Sequence, residues 1–247
     1  MEIDLYLVLA TFAALLIGMS KGGLPLVGMM SVPVLSLVMS PVKAAVLLLP
    51  LFIISDMVGI WLYRRDYSLV NLKILVPAGI FGVLMGWFTA SMISESTIKF
   101  IIGLVGVSFC LQTWFKRIQS EAPAPASFPK GSFWGAMAGF TSFIAHAGGP
   151  PFQIFVLPQK LPKSEFAGTA TILFAIINLA KLGPYQALSP YSEEDLMKAA
   201  VLVPFALLGT FLGAYLTQRI ADVWFFRLVQ TGLFLVSLKL IADAIFL

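Results

Sequence analysis

Six apolar runs, each close to 20 residues long, are the feature that most constrains the fold of this chain. A helix of about 20 residues spans about 30 Å, the thickness of the hydrocarbon core of a bilayer. Only 11% of the 247 residues are charged, whereas soluble domains carry about 25%. The sequence therefore predicts an all-α polytopic membrane protein. The runs cover residues 44–63, 72–93, 97–116, 165–187, 199–218 and 224–246.

The remaining composition argues against several functional classes. The net charge of +4 comes from Lys and Arg residues in short loops, with no basic stripe interleaved with aromatic residues, so nucleic-acid binding is not expected. Cys110 is the only cysteine and lies in an apolar run, which excludes an internal disulfide and a thiolate metal site. We therefore expect no metal and no cofactor.

Two further apolar regions, 5–39 and 131–159, are interrupted in the middle by glycine and proline. The interruptions read S-K-G-G-L-P at residues 20–25 and H-A-G-G-P-P at residues 146–151. Unwound backbone at membrane depth is tolerated only where protein or a water-filled cavity covers it. Each region therefore predicts a broken helical hairpin whose tip lies inside the membrane.

The two halves of the chain resemble each other beyond these interruptions. The segment L-F-I-I-S-D at 51–56 matches L-F-A-I-I-N at 173–178, and Val-Pro at 76–77 matches Val-Pro at 203–204. Matched broken segments in two halves are the best sequence indication of a transporter binding site. The sequence thus predicts an internal duplication with three parts: an N-terminal transmembrane repeat at 1–118, a cytoplasmic Pro/Ala/Ser-rich linker at 119–130 and a C-terminal transmembrane repeat at 131–247.

The charges of the loops favour inverted rather than parallel repeats. If each broken region crosses the membrane once, each half has four crossings and the repeats are parallel. If each is a hairpin, each half has three crossings and the repeats are inverted. In the hairpin arrangement the outside loops hold only Lys43, Lys99 and Lys198, which agrees with the positive-inside rule. We expect this arrangement, in the cytoplasmic membrane and with both termini extracytoplasmic. Its inside loops hold Arg64, Arg65, Lys73, Lys116, Arg117, Lys130, Lys160, Lys163 and Arg219.

The tips of the two hairpins are the predicted substrate site. Pro25 and Pro151 lie near the first turn of each second arm, where a missing N–H has no cost. The remaining N–H groups and the positive end of the helix dipole favour an anion, and glycine lets an oxyanion approach the backbone closely. The predicted substrate-binding residues are Ser20, Lys21, Gly22, Gly23, His146, Gly148, Gly149 and Gln153.

Two ionisable residues at the tips have competing interpretations. Lys21 is a functional candidate because an ionisable residue inside the membrane is costly, although a lysine can also snorkel to an interface. His146, the only histidine, is a candidate to bind substrate or to exchange a coupling proton, or it is a structural hydrogen-bond donor.

Asp56 and Asn178 occupy matched positions in the two halves. They predict a proton or cation relay, a salt bridge from Asp56 to Lys21, or a hydrogen bond between helices. Ser55, Thr169 and Thr171 are further candidates for polar lining. Lys181 and Arg227 lie nearer the ends of apolar runs, where we expect them to snorkel.

The glycine motifs resemble a known family. The run G-M-S-K-G-G-L-P at 18–25 is similar to the first-helix motif of the TauE/SafE family of sulfite exporters, and so is A-H-A-G-G-P-P at 145–151 together with the duplicated layout. The resemblance implies transport of small sulfur-containing anions, such as sulfite and organosulfonates, across the cytoplasmic membrane. It also implies that an ion gradient, of protons or Na+, drives the transport.

Three mechanisms remain to be distinguished at this point. The first is an alternating-access carrier that holds the anion between the tips, and the second is an uncoupled anion channel. The third is an intramembrane enzyme, which is disfavoured because the sequence has no H-E-x-x-H, G-x-S-x-G or paired-Asp motif.

The expected partners of the protein are the anion and membrane lipids. GxxxG spacings predict close helix packing within or between protomers, which leaves the oligomeric state open; they occur at Gly82/Gly86, Gly135/Gly139 and Gly209/Gly213.

Overall fold

The computed structural model describes residues 5–22, 24, 27–90, 92–115, 123–219 and 222–246, and all regular structure in these ranges is helical. In the N-terminal half a 3₁₀ turn, Val27–Met30, separates α1 from the later helices. The helices of this half are α1 (Leu5–Lys21), α2 (Ser31–Leu35), α3 (Pro41–Tyr63), α4 (Leu69–Ala90) and α5 (Glu95–Phe115).

The C-terminal half has a similar order of helices, with one additional short helix and with the 3₁₀ turn after rather than before its second helix. A 3₁₀ turn, Leu157–Gln159, follows the second broken region. Helix α6 begins at Phe128, so the last residues of the predicted linker are helical, while residues 119–122 lie outside the described ranges. The helices are α6 (Phe128–Ala145), α7 (Gly149–Val156), α8 (Lys163–Ala180), α9 (Leu182–Leu188), α10 (Glu193–Arg219) and α11 (Asp222–Phe246).

Each of the six predicted spans falls on these helices, with shifted ends. Helix α10 begins at Glu193, ahead of the apolar run that starts at residue 199, because Ser192 and Asp195 form a reciprocal cap. Hydropathy alone does not detect such a cap. By length and composition, four helical segments of the described chain can cross a bilayer: Pro41–Tyr63, Leu69–Ala90, Ser164–Leu188 and Glu193–Gly213.

The outer surface of the bundle is apolar. Large side chains such as Trp61, Phe88, Phe115 and Phe211 are 64%, 63%, 80% and 69% exposed. In water such a surface would be an aggregation hazard, whereas in a bilayer it faces lipid. The chain is therefore a membrane protein by its surface as well as by its composition.

Both predicted helix breaks are confirmed. Helix α1 ends at Lys21 and α6 ends at Ala145. The second break has a defined geometry, because His146 adopts a left-handed conformation with φ 51°. Its N–H donates to Ser142 O at 3.0 Å, which is the bond of an αL helix end, and the N–H of Ala147 donates to Thr141 O at 3.2 Å. Helix α7 then starts at Gly149, with prolines in its first turn.

Helices α4 and α6 pack closely because glycines face each other's backbone. A Cβ on Gly82 would collide with Ala136 O, and one on Gly139 would collide with Gly79 O. Towards the end of the pair, a Cβ on Gly86 would lie 2.8 Å from the ring of Phe143. The residue numbers of the contacting positions rise in the same direction along both helices, so α4 and α6 run parallel. The prediction that these GxxxG motifs allow close packing is confirmed.

Helices α1 and α10 form a second parallel pair of the same kind. A Cβ on Gly209 would meet Leu15 O, and one on Gly213 would lie 2.6 Å from Met19 O. Gly82 and Gly86 of α4 thus contact the first helix of the C-terminal half. The matched Gly209 and Gly213 of α10 contact the first helix of the N-terminal half.

Two other pairs run antiparallel. Along α3 and α8, Asp56 contacts Asn178, and further on a Cβ on Gly59 would meet Thr171. Along α5 and α11, a Cβ on Gly103 would contact Ile241, whereas Cys110 donates to the carbonyl of Gln230. In both pairs the residue number rises along one helix as it falls along the other. The members of each pair occupy matched places in the two halves.

Candidate functional site

A cavity of about 50 Å³ lies between the two broken hairpins. One water molecule needs about 10–15 Å³ of such space, so the cavity holds a few waters or one small oxyanion. The two hairpins, α3 and α8 supply its wall. The lining residues are Ser20, Lys21, Gly28, Met29, Phe52, Ser142, His146, Gly149, Ala170, Thr171, Phe174 and Asn178.

Lys21 forms a buried ion pair on the first-hairpin side of the cavity. Its Nζ lies 2.6 Å from Asp56 Oδ1, and the other carboxylate oxygen accepts a hydrogen bond of 2.6 Å from Asn178 Nδ2. All three residues are buried. The ring of Phe52 lies 5.5 Å below the ammonium, close enough for a cation–π attraction. Lys21 is therefore anchored inside the protein and does not snorkel.

A glycine on α3 lets α8 approach closely beside Lys21. A Cβ on Gly59 would lie 3.8 Å from Lys21 Cβ and only 2.8 Å from Thr171 Cγ2. Because Gly59 has no side chain, α1, α3 and α8 meet closely beside the cavity. This packing brings an α1 lysine, an α3 carboxylate and an α8 amide together.

His146 links the second tip to α3. Its Nε2 lies 3.0 Å from Ala45 O, and since a carbonyl only accepts, we assign the ring proton to Nε2. Its Nδ1 then accepts from Lys181 Nζ at 2.9 Å. The ring stacks on Phe52 with centroids 4.3 Å apart. Both ring nitrogens are therefore occupied by protein groups, which supports the interpretation of His146 as a structural donor.

Lys181 lies behind the second tip and is completely buried. Besides His146, its Nζ contacts Ser142 O and Ser142 Oγ, each at 3.0 Å. Among the described residues no carboxylate lies within ion-pair distance of this ammonium. The prediction that Lys181 snorkels is wrong, because apolar helix α9 continues the membrane segment to Leu188 and places Lys181 in its interior.

The chemistry that this arrangement allows follows from its charges. The charge of Lys21 is balanced by Asp56, whereas that of Lys181 is not balanced by any described carboxylate. Helix α7 also begins at the cavity, so the positive end of its dipole lies there. Within the described ranges no group of three or more His, Cys, Asp or Glu could hold a metal. The cavity is thus suited to a small anion.

The family model for the sulfite exporter TauE/SafE matches residues 8–240. The chain belongs to the TauE/SafE family. The resemblance in the two glycine motifs therefore extends over nearly the whole sequence, and the chain is a membrane protein of an anion-transporter family. Neither the curated proteins nor the solved structures gave a match.

In this TauE/SafE protein the predicted site residues divide into two groups. Five of them line the cavity, and Asp56 lies directly behind it, bonded to two of the five. Gly22, Gly148 and Gln153 are not part of the wall, and Gly23 lies outside the described residues. The five lining residues are Ser20, Lys21, His146, Gly149 and Asn178.

Two of the predicted residues outside the wall, Gly22 and Gly148, have packing roles in this TauE/SafE protein. The N–H of Gly22 donates to Gly18 O at 3.1 Å and extends the last turn of α1. A Cβ on Gly148 would lie 2.5 Å from the ring of Phe174 and 2.6 Å from Ala138 O. Glycine at 148 therefore lets the second tip sit against α8 and α6.

Of the other polar candidates, some line the cavity and others do not. Thr171 lines the cavity, whereas Thr169 accepts the N–H of Ser68 at 2.8 Å near the loop between α3 and α4. Ser55 is buried but does not reach the cavity. Ser142 is a lining residue that the sequence interpretation missed. Helical spacing could have indicated it, since Ser142 precedes His146 by one turn on the same face.

The helix N-terminus at the second tip offers fewer donors than expected. Pro150 and Pro151 have no N–H, and the N–H of Phe152 donates to Gly148 O at 3.3 Å. Gly149 is the remaining first-turn residue, and it lies in the cavity wall. Side chains must therefore provide most of the hydrogen bonds to a bound anion.

Proposed function

We propose that this TauE/SafE protein transports a small sulfur-containing anion, such as sulfite or an organosulfonate, across the cytoplasmic membrane. The observation that carries the proposal is the cavity between the two broken hairpins, with Lys21 in its wall and Lys181 behind it. A buried positive charge in a membrane requires a counter-ion, and a transported anion supplies one.

The donors around the cavity match the oxygens of a small oxyanion. An ammonium has three donors, and the ammonium of Lys21 forms an ion pair with Asp56 Oδ1. We assign its N–H groups to a substrate bound beside Gly149 of the second tip. We assign Ser20, Lys21, His146 and Gly149 to the substrate wall. Gly22 and Gly148 shape the two tips around it.

The transport mechanism that we propose is alternating access between two inverted repeats, residues 1–118 and 131–247, joined by the linker at 119–130. The matched pairs α3 with α8 and α5 with α11 support inversion, because both run antiparallel. Helices related by a two-fold axis in the membrane plane run antiparallel where they meet, whereas an axis along the membrane normal makes them parallel. Rocking of one repeat against the other exposes the site to each side in turn.

The topology that we propose is based on the same arrangement. With hairpins that enter and leave by one face, each repeat has three crossings and the two termini share a side. The concentration of Lys and Arg in the loops assigned to the cytoplasm then puts both termini outside. A coupling ion, a proton or Na+, would act through Asp56, the carboxylate behind the cavity wall.

Proteoliposomes test this function. The purified chain is reconstituted with labelled sulfite, and a proton or Na+ gradient is imposed in separate experiments. The proposal predicts saturable flux and accumulation of the anion against its own gradient. Flux that rises linearly with substrate and only dissipates gradients would indicate a channel, and a chemically altered substrate would indicate an enzyme.

The Asp56→Asn variant refines this test. It should lose accumulation driven by the ion gradient, and thermal unfolding before reconstitution establishes that the variant is folded. The matched control is Asp243→Asn, which removes a carboxylate from the Lys239–Asp243 pair on the outer surface of α11. This variant should transport as the wild type does.

A further inference from the structure

The buried lysines of the two halves, Lys21 and Lys181, occupy positions that do not correspond in the sequence match between the halves. The sequence match that pairs residues 51–56 with 173–178 also pairs Gly59 with Lys181. The match between the two tips pairs Lys21 with Ala147. In the N-terminal half the lysine lies on the hairpin and contacts α3, whereas in the C-terminal half it follows α8 and contacts the hairpin. Among the described residues each half has one such lysine, and of the two only the N-terminal one contacts a carboxylate.

Ser142 connects Lys181 to the cavity. The Nζ of Lys181 donates to Ser142 Oγ at 3.0 Å, so the serine oxygen acts as an acceptor and its own proton is available. In the described part of the chain this hydroxyl has no acceptor, and Ser142 lines the cavity. Ser20 differs, because its hydroxyl donates to Ile17 O at 2.6 Å. Ser142 is therefore the better-placed hydroxyl donor for an anion.

Among the described residues, the charges that face the cavity add up to one positive charge. Asp56 contacts Lys21 from α1 and Asn178 from α8. We assign Lys181 as an ammonium, because its Nζ has three acceptors within 3.0 Å, Ser142 O, Ser142 Oγ and His146 Nδ1. His146 from α6 is neutral in the assigned tautomer, since it donates to Ala45 O and accepts from Lys181. The sum is two lysines and one carboxylate.

We propose that Lys181 is the positioning residue whose charge selects a singly charged anion, and that Ser142 is the hydroxyl that contacts it. The inference rests on the proposed anion site and specifies its substrate class. One negative charge neutralises the buried cluster, whereas a dianion leaves an excess negative charge in a low-dielectric site, which is costly. Simple alkanesulfonates and hydrogensulfite carry one negative charge, whereas sulfate and thiosulfate carry two.

A pair of isosteric anions tests this selectivity. Methanesulfonate and sulfate have the same tetrahedral shape and differ by one charge. Calorimetric titration of the purified full chain should show methanesulfonate binding at least about tenfold more tightly, the scale of one charged hydrogen bond. Lys181→Met should weaken the binding of methanesulfonate by at least about tenfold. Asp56→Asn should shift the binding preference towards sulfate.

The double variant separates charge from structure. Lys181→Met with Asp56→Asn returns the cluster to one positive charge, so methanesulfonate should bind more tightly than to Lys181→Met alone. A purely structural role for Lys181 gives no such rescue. Ser142→Ala should weaken the binding of both anions. Thermal unfolding of each variant establishes that it is folded.

Several outcomes would overturn the inference. Wild-type affinity in Lys181→Met, no rescue in the double variant, or a wild-type preference for sulfate each contradicts it while leaving the anion site intact. Should Lys181→Met not fold, Asp56→Asn decides, and an unchanged preference for methanesulfonate over sulfate contradicts the charge count. A wild-type chain that binds neither anion and no other sulfur anion overturns the proposed function itself.

Discussion

Lys21 of the first broken hairpin and Asp56 of α3 form an ion pair with Nζ and Oδ1 2.6 Å apart and side chains only 9% and 3% exposed. The pair joins the tip of the hairpin to a membrane-spanning helix. Asn178 of α8 binds the other carboxylate oxygen, so one buried carboxylate connects the two halves of the chain. The wall of the cavity on this side depends on these contacts.

Breaking this pair on one side should be strongly destabilising. Lys21→Met leaves Asp56 buried without a counter-charge, and we expect a loss of about 3–5 kcal/mol in the free energy of unfolding. Lys21→Met combined with Asp56→Asn should recover much of this loss, because neither charge remains. Denaturant unfolding in detergent micelles measures both.

The exposed pair on α11 provides the control for this experiment. Asp243→Asn breaks an ion pair whose lysine side chain is 56% exposed, and it should cost less than about 1 kcal/mol. If Lys21→Met is no less stable than Asp243→Asn, the Lys21–Asp56 pair does not form as described.

His146 should act through structure rather than through its charge. Its ring donates to Ala45 O, accepts from Lys181 and stacks on Phe52. Its backbone is left-handed, a conformation that Asn tolerates better than Ala does. We expect His146→Asn to be more stable than His146→Ala and to keep the wild-type pH profile of transport. A profile that flattens in His146→Asn would assign the titrating group to His146.

The glycines between α4 and α6 should not accept a methyl group. A Cβ on Gly82 or Gly139 meets backbone atoms of the facing helix, which cannot move aside without separating the helices. Gly82→Ala and Gly139→Ala should each lower the free energy of unfolding by about 1–3 kcal/mol. Gly183→Ala is the control, since nothing lies within 4 Å of its Cβ position. Equal stability of all three variants would contradict the packing.

The proposed topology can be mapped in a chain without cysteine. Cys110 is the only cysteine, so Cys110→Ala gives a background for single introduced cysteines. Arg64→Cys should be protected from an impermeant maleimide in intact cells, whereas Glu194→Cys should react. Tags at Met1 and Leu247 should both be accessible from outside. Tags that both report from the cytoplasm would contradict the orientation.

The sequence was sufficient to locate the broken hairpins, because glycine and proline act locally. The interruption at 146–151 predicted the end of α6, and the structure supplies the reason in the left-handed His146. The order and type of the spanning helices also followed from hydropathy. Their ends did not, since caps such as Ser192 with Asp195 depend on single hydrogen bonds.

The candidate site was only partly predictable for a physical reason. Lys21 and Asp56 stood out because each is an ionisable residue within an apolar region. Lys181 lies after α8, and its burial depends on the short helix α9 and on the second tip that folds over it. Ser142 becomes a lining residue only through that tip. Such contacts arise from tertiary packing, to which hydropathy and motif spacing are insensitive.

Anion binding to the purified protein tests most directly whether the cavity between the two tips is a substrate site. Thermal shift and calorimetry are carried out with sulfite, sulfate, thiosulfate, taurine, acetate and chloride. We predict saturable stabilisation by one or more of the sulfur anions, no response to acetate or chloride, and loss of binding in Lys21→Ala. No response to any sulfur anion, or unaltered affinity in a folded Lys21→Ala variant, would contradict the assignment.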